Sequence, residues 1–261
     1  MIYSYSPLDR PGSEKDITEV SGTSSPGSIP GRGTIFVICM IDQEKENIRR
    51  PSFGWRKPDR SAALEQYRRR ARFYDLELAL IEPIRRRAIE RLALKAGDVV
   101  LDVGCGTGLS FELLRSRVGA QGKIIGIEQS AEMIGLARER AARNRWDNIE
   151  LIQSPVEDAP IDLLADAALF HFTHDILRTR GAVGNVVSHL KPGALIVASG
   201  LKWARWGSPA NLLVLQAALI SVTSLEGLAE PWSNLVPVVG TIEVASMLGG
   251  GVFIATARTK E

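Results

Sequence analysis

Seven short apolar segments between residues 98 and 258 constrain the fold more than any other feature of this chain. They predict strands over residues 98–103, 123–128, 148–153, 165–170, 194–200, 241–247 and 252–258. Helical patterns over 110–117, 131–144 and 181–190 separate the first five segments. Strands that alternate with helices are typical of a mostly parallel sheet, and continuous apolar strands indicate helices on both of its faces. We therefore predict a doubly wound α/β domain over residues 97–261.

The region before this domain has a different composition. Residues 1–34 contain seven Ser, four Pro and five Gly, which predicts a disordered tail, and residues 35–60 are expected to be irregular. Met40 is an alternative start of the native protein, and in that case residues 1–39 would not belong to it. Apolar residues at steps of three and four predict a helical cap over 61–96, kinked or interrupted at Pro83.

Composition excludes several classes of protein. The net charge is +2, which argues against a chain that coats nucleic acid. Two cysteines, Cys39 and Cys105, form no disulfide framework, no metal site is expected, and a reducing, cytoplasmic compartment is predicted. No signal peptide is recognisable. The run 210–225 is too short and too polar to span a membrane, so it is interpreted as a buried or lid helix, with a membrane-surface helix as the alternative.

Basic residues cluster in the segment from Glu44 to Lys95, which holds 15 Lys and Arg against 8 Asp and Glu. The dense clusters are at residues 68–72 and 85–87. Such clusters are either solvated helix faces or a basic rim that attracts an anionic substrate or lipid head group.

The segment VVLDVGCGTG over residues 99–108 carries the most informative motif. An apolar strand leads through Asp102 into Gly104, Gly106 and Gly108, and a helical pattern follows. Alternate glycines allow a sharp turn and the close approach of a ligand. In a parallel sheet this turn lies at the carboxyl edge, where ligands bind, and the next helix N-terminus favours a negatively charged group.

An acidic residue at the end of the second strand completes the motif. Glu128 lies twenty residues after Gly108, and a carboxylate there can accept hydrogen bonds from both hydroxyls of a ribose. The pattern therefore predicts an adenosine-containing cofactor. A dinucleotide fingerprint would need its third glycine at position 109, which is Leu109, so the spacing disfavours NAD.

The chain resembles the class I S-adenosylmethionine-dependent methyltransferases, particularly the small-molecule group that includes quinone and phospholipid methylases. The resemblance rests on LDVGCGTG, GIEQSAEMIGLARERA and HLKPGALIVASG, and covers about residues 68–260. It implies a Rossmann-like, seven-stranded sheet whose last strand is antiparallel, with helices on both faces. It also implies S-adenosylmethionine as cofactor, an N-terminal helical cap over the donor, and a substrate lid near 201–235.

The resemblance further implies a set of donor contacts. The glycine loop would hold the methionine part, Glu128 the ribose, and Gln129 and Met133 would flank the adenine. In LIQSPVED the family's usual glycine and acidic residue are replaced by Ser154 and Pro155, so Ser154, a nearby carboxylate (Glu157 or Asp158) or water must substitute for the acidic contact. The implied contacts are Tyr74, Asp102, Gly104, Cys105, Gly106, Thr107, Gly108, Glu128, Gln129, Met133, Ser154, Pro155, Val156 and Phe170.

A histidine-rich stretch follows the fourth predicted strand. The resemblance places this edge beside the methyl group, so His171 and His174 are candidates for a general base or a substrate contact, and Asp175 could orient an imidazole. The alternative is that His171 packs near the cofactor and His174 is a loop residue. Later aromatic residues either line an apolar acceptor pocket or pack within the lid. They are Trp203, Trp206 and Trp232.

The sequence thus predicts an enzyme that transfers a methyl group to nitrogen, oxygen or carbon of a small molecule or lipid head group. The stretch HFTH stands where amino-methylating DNA enzymes carry [DN]-P-P-[YF], which argues against nucleic acid. Peripheral contact with a membrane stays open. The alternatives are a nicotinamide-dependent oxidoreductase and a non-catalytic cofactor-binding protein.

Overall fold

The computed structural model describes residues 2–5, 81–221 and 225–260, and this part of the chain is built on an eight-stranded sheet. The strands are β1 (Ile2–Tyr5), β2 (Val99–Val103), β3 (Lys123–Glu128), β4 (Ile149–Gln153), β5 (Ala165–His171), β6 (Leu190–Leu201), β7 (Val239–Met247) and β8 (Val252–Thr259). Their order across the sheet is β1-β7-β8-β6-β5-β2-β3-β4.

Strands β2 to β8 confirm the predicted seven-stranded, mostly parallel sheet with an antiparallel last strand. The five strands β2 to β6 pair in parallel, and β8 runs antiparallel to both β6 and β7. Most strand bounds differ from the prediction by two residues or fewer, and the largest difference is in β6, which begins at Leu190 rather than at residue 194. Leu190 pairs with Ala165 and Leu195 with Ala167, so a register shift absorbs the extra residues.

The first residues form a strand instead of belonging to a disordered tail. β1 pairs antiparallel with β7, with Ile2 opposite Ala245. Isoleucine and tyrosine favour extended backbone, and the outer edge of β7 offers unpaired backbone groups to such a segment. The predicted tail is therefore wrong for Ile2–Tyr5. The rest of the tail, the irregular segment 35–60 and residues 61–80 of the predicted cap lie outside the described residues.

Helices cover both faces of the sheet. They are α1 (Glu82–Arg91), α2 (Phe111–Val118), α3 (Ala131–Arg143), α4 (His174–Leu177), α5 (Arg180–Ser188) and α6 (Ala210–Ser221). Apolar residues of α1, α2 and α3 join one core layer, and those of α5 join the layer on the opposite face. None of the helices in the described ranges is long and apolar enough to cross a membrane.

Helix α1 buries one residue of the basic cluster 85–87. Pro83 lies in the first turn of α1, where a missing backbone N–H costs no helical hydrogen bond. Arg86 and Arg87 are exposed, but Arg85 is only 3% exposed. The interpretation of this cluster as a solvated face or basic rim is therefore wrong for Arg85.

Candidate functional site

The turn after β2 has the backbone geometry that its glycines predict. The φ angle is +71° at Gly104, +57° at Gly106 and +78° at Gly108, a region that residues with a Cβ rarely adopt. The amides of Gly104 and Cys105 both donate to the carbonyl oxygen of Ile127, at 2.8 and 3.0 Å. The glycine turn is thereby tied to the end of β3.

The loop after β5 packs against this turn. A Cβ on Gly104 would lie 2.6 Å from Cγ2 of Thr173 and 2.8 Å from Cδ1 of Ile176. Real Cβ atoms are not found this close to other side chains, so the approach requires glycine. The histidine-rich stretch 171–175 therefore lies beside the glycine turn.

Glu128 is held by backbone amides at the end of β3. Its Oε2 accepts a hydrogen bond from Gly106 N–H at 3.2 Å, and its Oε1 accepts one from Ser130 N–H at 2.8 Å. Burial raises the pKa of Glu128, and these backbone hydrogen bonds act in the opposite direction. A carboxylate has about four acceptor positions, so an oriented Glu128 can still accept the hydroxyls of a ribose.

The residues after Glu128 begin helix α3. Ser130 caps the helix, since its Oγ accepts the N–H of Met133 at 3.2 Å. The side chain of Met133 is buried, whereas Gln129 is half-buried. Gln129 thus directly follows the oriented Glu128, and Met133 lies in the first turn of α3.

Asp102 belongs to a buried charged cluster under α1. Its carboxyl is 2% exposed, and Oδ2 has no hydrogen-bond partner within the described ranges. Burial raises the pKa of Asp102 to about 7, the charge of Arg85 opposes this shift, and the charge of Glu128 adds to it. Arg85 pairs with Glu82, while its Nε has no hydrogen-bond partner in the same described ranges. The cluster therefore presents an unpaired carboxyl oxygen and an unpaired guanidinium N–H.

His171 lies near the same arginine. Its Nδ1 is 2.8 Å from Oγ of Ser199, and its buried Nε2 has no hydrogen-bond partner among the residues that the structure describes. Burial lowers the pKa of His171 to about 3, and the charge of Arg85 acts in the same direction. The imidazole is therefore neutral and a weak base. Phe170, one residue earlier, is fully buried in the core layer that also contains α5.

His174 has a defined tautomer. Its Nε2 is 3.1 Å from the carbonyl oxygen of Glu226, and because a carbonyl only accepts, Nε2 carries the proton. Its buried Nδ1 has no hydrogen-bond partner in the described part of the chain. Burial lowers the pKa of His174, while the charge of Asp175 works against this shift. His174 therefore presents the unprotonated Nδ1 of a neutral ring.

Arg178 holds the carbonyl group that His174 contacts. It donates from Nη1 to the Glu226 carbonyl, and its Nη2 lies 3.2 Å from Oε2 of the same residue. A Cβ on Gly227, which has a φ of +78°, would lie 2.9 Å from Nε of Arg178. Arg178, just after α4, thus packs closely against Glu226 and Gly227 in the segment after α6. None of these contacts was predicted from the sequence.

The segment after β4 lies beside Glu128. The amide of Ser154 donates to the Glu128 carbonyl oxygen at 3.2 Å, and the hydroxyl of Ser154 donates to the carbonyl of Pro155 at 2.9 Å. Pro155 precedes a short 3₁₀ helix, Val156–Asp158, and the side chain of Val156 is buried in the core. The Ser154 hydroxyl is therefore used locally.

Three further residues were predicted to contact the donor: Cys105, Thr107 and Tyr74. Cys105 is 8% exposed, its Sγ would lie 2.9 Å from a Cβ on Gly126, and burial raises the pKa of its thiol. Its side chain belongs to the core, so only its backbone faces the turn. The carbonyl of Thr107 accepts Nε of Arg140 at 2.9 Å. Tyr74 lies outside the described residues.

A small, mostly apolar cleft adjoins the histidine-rich stretch. Its lining residues are Phe172, His174, Leu177, Ser199, Gly200, Leu201, Pro231 and Phe253. The backbone of Phe172 has a φ of +57°, which is rare for a bulky residue and occurs where surrounding structure holds it.

The tryptophans do not line this cleft. Trp232 packs in the core against Phe253, with ring centroids 5.0 Å apart. Trp203 is partly buried near α6, and Trp206 is fully exposed. Trp232 therefore packs in the core of the domain, whereas the sequence interpretations were a pocket wall or packing within the lid itself.

Sequence reasoning missed Arg85 and Glu226. The signal for Arg85 was present, because Arg85 falls between the apolar positions Ile84, Ala88 and Ile89 on one face of α1. Glu226 gave no such signal, since it acts through its backbone carbonyl and lies 52 residues from His174.

Part of this chain is similar in sequence to known methyltransferases. Residues 94–219 match the family model of a methyltransferase domain. Trans-aconitate 2-methyltransferase of Pseudomonas paraeruginosa is 32% identical over 120 residues, which are 45% of this chain and 42% of that protein. 2-phytyl-1,4-naphtoquinone methyltransferase of Nostoc punctiforme is 29% identical over 161 residues, which are 58% of this chain and 67% of that protein. This chain therefore spans less than half the length of the first of these relatives.

A solved structure has the same fold. The N-methyltransferase NodS of Bradyrhizobium japonicum, in complex with S-adenosyl-L-homocysteine, matches with a TM-score of 0.50 and 19% identity, over 69% of this chain and 88% of that chain. Sheet order, glycine turn and sequence matches together define a class I S-adenosylmethionine-dependent methyltransferase fold. The match over residues 94–219 and the small-molecule methyltransferases among the relatives support a class I S-adenosylmethionine-dependent methyltransferase.

The cofactor of this class is S-adenosylmethionine, and the site has the groups to hold it. Glu128 is oriented to accept hydroxyl donors. The unpaired Oδ2 of Asp102 suits an ammonium, and the unpaired Nε of Arg85 suits a carboxylate. Ribose hydroxyls and an amino-acid end are the polar parts of this cofactor, so the residues present fit it.

Proposed function

We propose that this chain transfers the methyl group of S-adenosylmethionine to nitrogen, oxygen or carbon of a small molecule or lipid head group. The observation that carries the proposal is the arrangement around the glycine turn. Gly106 donates to Glu128, while Asp102 in the strand before the turn keeps an unpaired carboxyl oxygen. The family match favours methyl transfer over the oxidoreductase alternative.

Each residue has a distinct part in holding the donor. Glu128 would accept the ribose hydroxyls, and Asp102 and Arg85 would bind the amino and carboxylate groups of the methionine part. Bound S-adenosylmethionine supplies an electrophilic methyl group, so the main task of the protein is to hold the acceptor in line with it. Positioning of this kind can lower a barrier by about 7–11 kcal/mol.

We assign the removal of the acceptor's proton to Nδ1 of His174. His174 lines the cleft, its proton resides on Nε2, and Nδ1 is buried without a hydrogen-bond partner among the described residues. An acceptor hydroxyl or amine in the cleft would pass its proton to Nδ1 as the new bond to the methyl carbon forms. A positioned base of this kind typically contributes 10²–10⁴-fold. His171 is the poorer candidate, because burial lowers its pKa to about 3.

The cleft favours an acceptor with an apolar body and a polar group. Six of its eight lining residues are apolar or glycine, and Ser199 and His174 are polar. One of the similar proteins is named for a phytyl naphthoquinone, an acceptor type with this character. A small-molecule acceptor of this kind, in a cytoplasmic protein that does not act on nucleic acid, is our proposal for this chain.

Donor binding tests the proposal directly. Calorimetry with S-adenosylhomocysteine on the full chain should show binding that weakens about tenfold or more in Glu128→Gln, since hydrogen bonds to a charged group contribute about 1.5–3 kcal/mol. Glu150→Gln is the matched control, because Glu150 lies on neighbouring β4 and forms a surface ion pair with Lys123 at 2.7 Å.

Turnover is tested separately. Methyl-labelled S-adenosylmethionine should transfer label to at least one acceptor in a panel of reduced naphthoquinones, carboxylic acids and amines, and His174→Gln should slow transfer without weakening donor binding. Absence of donor binding would refute the assignment. Donor binding without transfer to any acceptor would favour a non-catalytic cofactor-binding protein.

A further inference from the structure

Exposed large apolar residues are concentrated in one region of the described chain. Six such residues are exposed, and five of them lie in the segment 206–219 or at position 248. These five are Trp206, Leu212, Leu213, Leu219 and Leu248. The sixth, Leu164, lies elsewhere, between β4 and β5. We call the group of five the apolar face.

Helix α6 is apolar on both sides. Val214 and Ala218 are buried against the domain, where Ala218 packs with Leu228. Leu212 and Leu213 are 63% and 68% exposed, and Leu219 is exposed one to two turns later. An ordinary surface helix would carry polar residues at these positions. The outward side of α6 therefore has the character of a surface that is covered in use.

The two other members are fixed beside α6. The side-chain amide of Asn211, in the first turn of α6, donates to the carbonyl of Arg205 at 3.2 Å, and its Oδ1 accepts Ala204 N–H at 2.8 Å. These bonds hold the loop that carries Trp206, which is 100% exposed. On the other side, a Cβ on Gly249 would lie 3.4 Å from Cβ of Ala210, so Leu248 adjoins the start of α6.

Leu248 is exposed at an energetic cost. Its φ is +47°, in the left-handed region that bulky residues avoid, and its side chain is 66% exposed. Such a conformation costs about 1–3 kcal/mol and persists where surrounding structure determines it, often at ligand contacts. A strained backbone that presents a leucine to solvent is a second, independent indication that this face binds something.

The charges of the segment that carries most of the face favour a negatively charged partner. The sequence from residue 201 to residue 225 contains no Asp or Glu, and its two charged residues are Lys202 and Arg205. Both cations lie in the loop between β6 and α6, which also carries Trp206; tryptophan is enriched at membrane–water interfaces, and anionic lipids attract such cations. The 12 residues of α6 are too few to span a bilayer, which requires about 20.

We propose that the apolar face docks this chain on an anionic phospholipid surface, with α6 lying in the plane of the interface. The docking is independent of methyl transfer, because none of the five residues belongs to the donor site or lines the cleft. The apolar face is connected to the proposed acceptor cleft through Leu201. This residue lines the cleft and also packs with the cluster of Ala218 and Leu228. The face and the cleft are thereby neighbours.

Vesicle flotation of the full chain, without donor or acceptor, tests this docking. The protein should float with phosphatidylcholine vesicles that contain about 30% phosphatidylglycerol, less with phosphatidylcholine alone, and less again in about 0.5 M salt. The variant Leu212→Gln/Leu213→Gln/Leu219→Gln should lose vesicle affinity by about tenfold or more. Leu164→Gln is the matched control and should bind as the unmodified chain does.

Tryptophan fluorescence gives a second readout. Vesicles should shift the emission to shorter wavelength, and Trp206→Phe should remove most of that shift. S-adenosylhomocysteine affinity of each variant checks that the fold is intact, since the changed residues lie outside the donor site. The proposal is overturned if the chain does not float with any vesicle, or if the triple variant floats equally well. It is also overturned if light scattering shows a dimer that the triple variant loses, because the face would then bind a second copy.

Discussion

Nε2 of His174 lies 3.1 Å from the carbonyl oxygen of Glu226, a residue 52 positions further along the chain. This contact determines which nitrogen of the imidazole holds the proton. The other nitrogen of this cleft-lining side chain, Nδ1, is therefore the one that can accept a proton. A backbone carbonyl brought by the segment after α6 thus sets the chemical state of a side chain on α4.

The tautomer of His174 can be measured without knowing the acceptor. Long-range proton–nitrogen spectra of the full chain should show the Nε2–H form at neutral pH, with a pKa below the ordinary value of 6.5 because burial disfavours the charged ring. Arg178→Gln should mix the tautomers, because Arg178 holds the Glu226 carbonyl that accepts the hydrogen bond from Nε2. The signal is assigned with His174→Gln.

Arg180→Gln serves as the control, because Arg180 is exposed two residues away. A spectrum in which Nδ1 carries the proton would contradict the assignment of His174 as base.

Asp102→Asn should stabilise the donor-free protein at neutral and alkaline pH. The pKa of Asp102 is raised from 3.8 to about 7, so its contribution to folding is fully present below pH 3.8 and is lost as the pH rises to about 7. The shift corresponds to at most about 4 kcal/mol. Urea unfolding should therefore show an advantage of the variant that grows between about pH 4 and pH 7 and is constant at higher pH.

Asp166→Asn should behave in the opposite way. Burial raises the pKa of Asp166, but hydrogen bonds from Lys191 and Val99 outweigh this effect and lower it. This variant should lose stability above pH 3.8, where the wild-type carboxylate is charged. Equal pH dependence of the Asp102 variant and the wild type would refute the burial argument.

Donor affinity should rise with pH through about 7. The ammonium of S-adenosylhomocysteine requires the charged form of Asp102, whose pKa is about 7 in the free protein, so binding below that pH must release a proton. Calorimetry in buffers of different ionisation enthalpy should detect this release at about pH 6 and none at about pH 8.5. In Asp102→Asn the affinity should be weaker and should lack this pH dependence; an unchanged dependence would place the titrating group elsewhere.

Gly104→Ala should destabilise the protein by about 1–3 kcal/mol, because it combines a φ of +71° with a clash against Thr173 and Ile176. Adding Thr173→Ser, which removes the methyl group 2.6 Å from the new Cβ, should recover part of this loss. Gly135→Ala is the control, since Gly135 lies within α3 with open space around it, and should be neutral or stabilising by up to about 1 kcal/mol. Equal unfolding midpoints for both glycine variants would contradict the close packing at the turn.

The sequence predicted the part of the site that depends on neighbouring residues. The strand before Glu128 was predicted with its observed bounds, Lys123–Glu128, because its apolar run and the flanking polar residues are local signals. The glycine turn followed from spacing alone. The burial of Arg85, the position of Trp232 and the pairing of β1 were not predicted, since each depends on residues brought from distant parts of the chain.

Sequence by itself determined the parallel sheet, the glycine turn and the acidic residue that faces it, because periodicity and backbone freedom act over a few residues. Tertiary structure decided the states of the titratable groups. Asp102 keeps an unpaired oxygen and a raised pKa because the fold buries its carboxyl, and the charge of Arg85 only partly opposes this shift. His174 presents Nδ1 because a distant carbonyl occupies Nε2. Desolvation and hydrogen bonding depend on which groups surround a side chain in three dimensions, and that information exists only once the chain has folded.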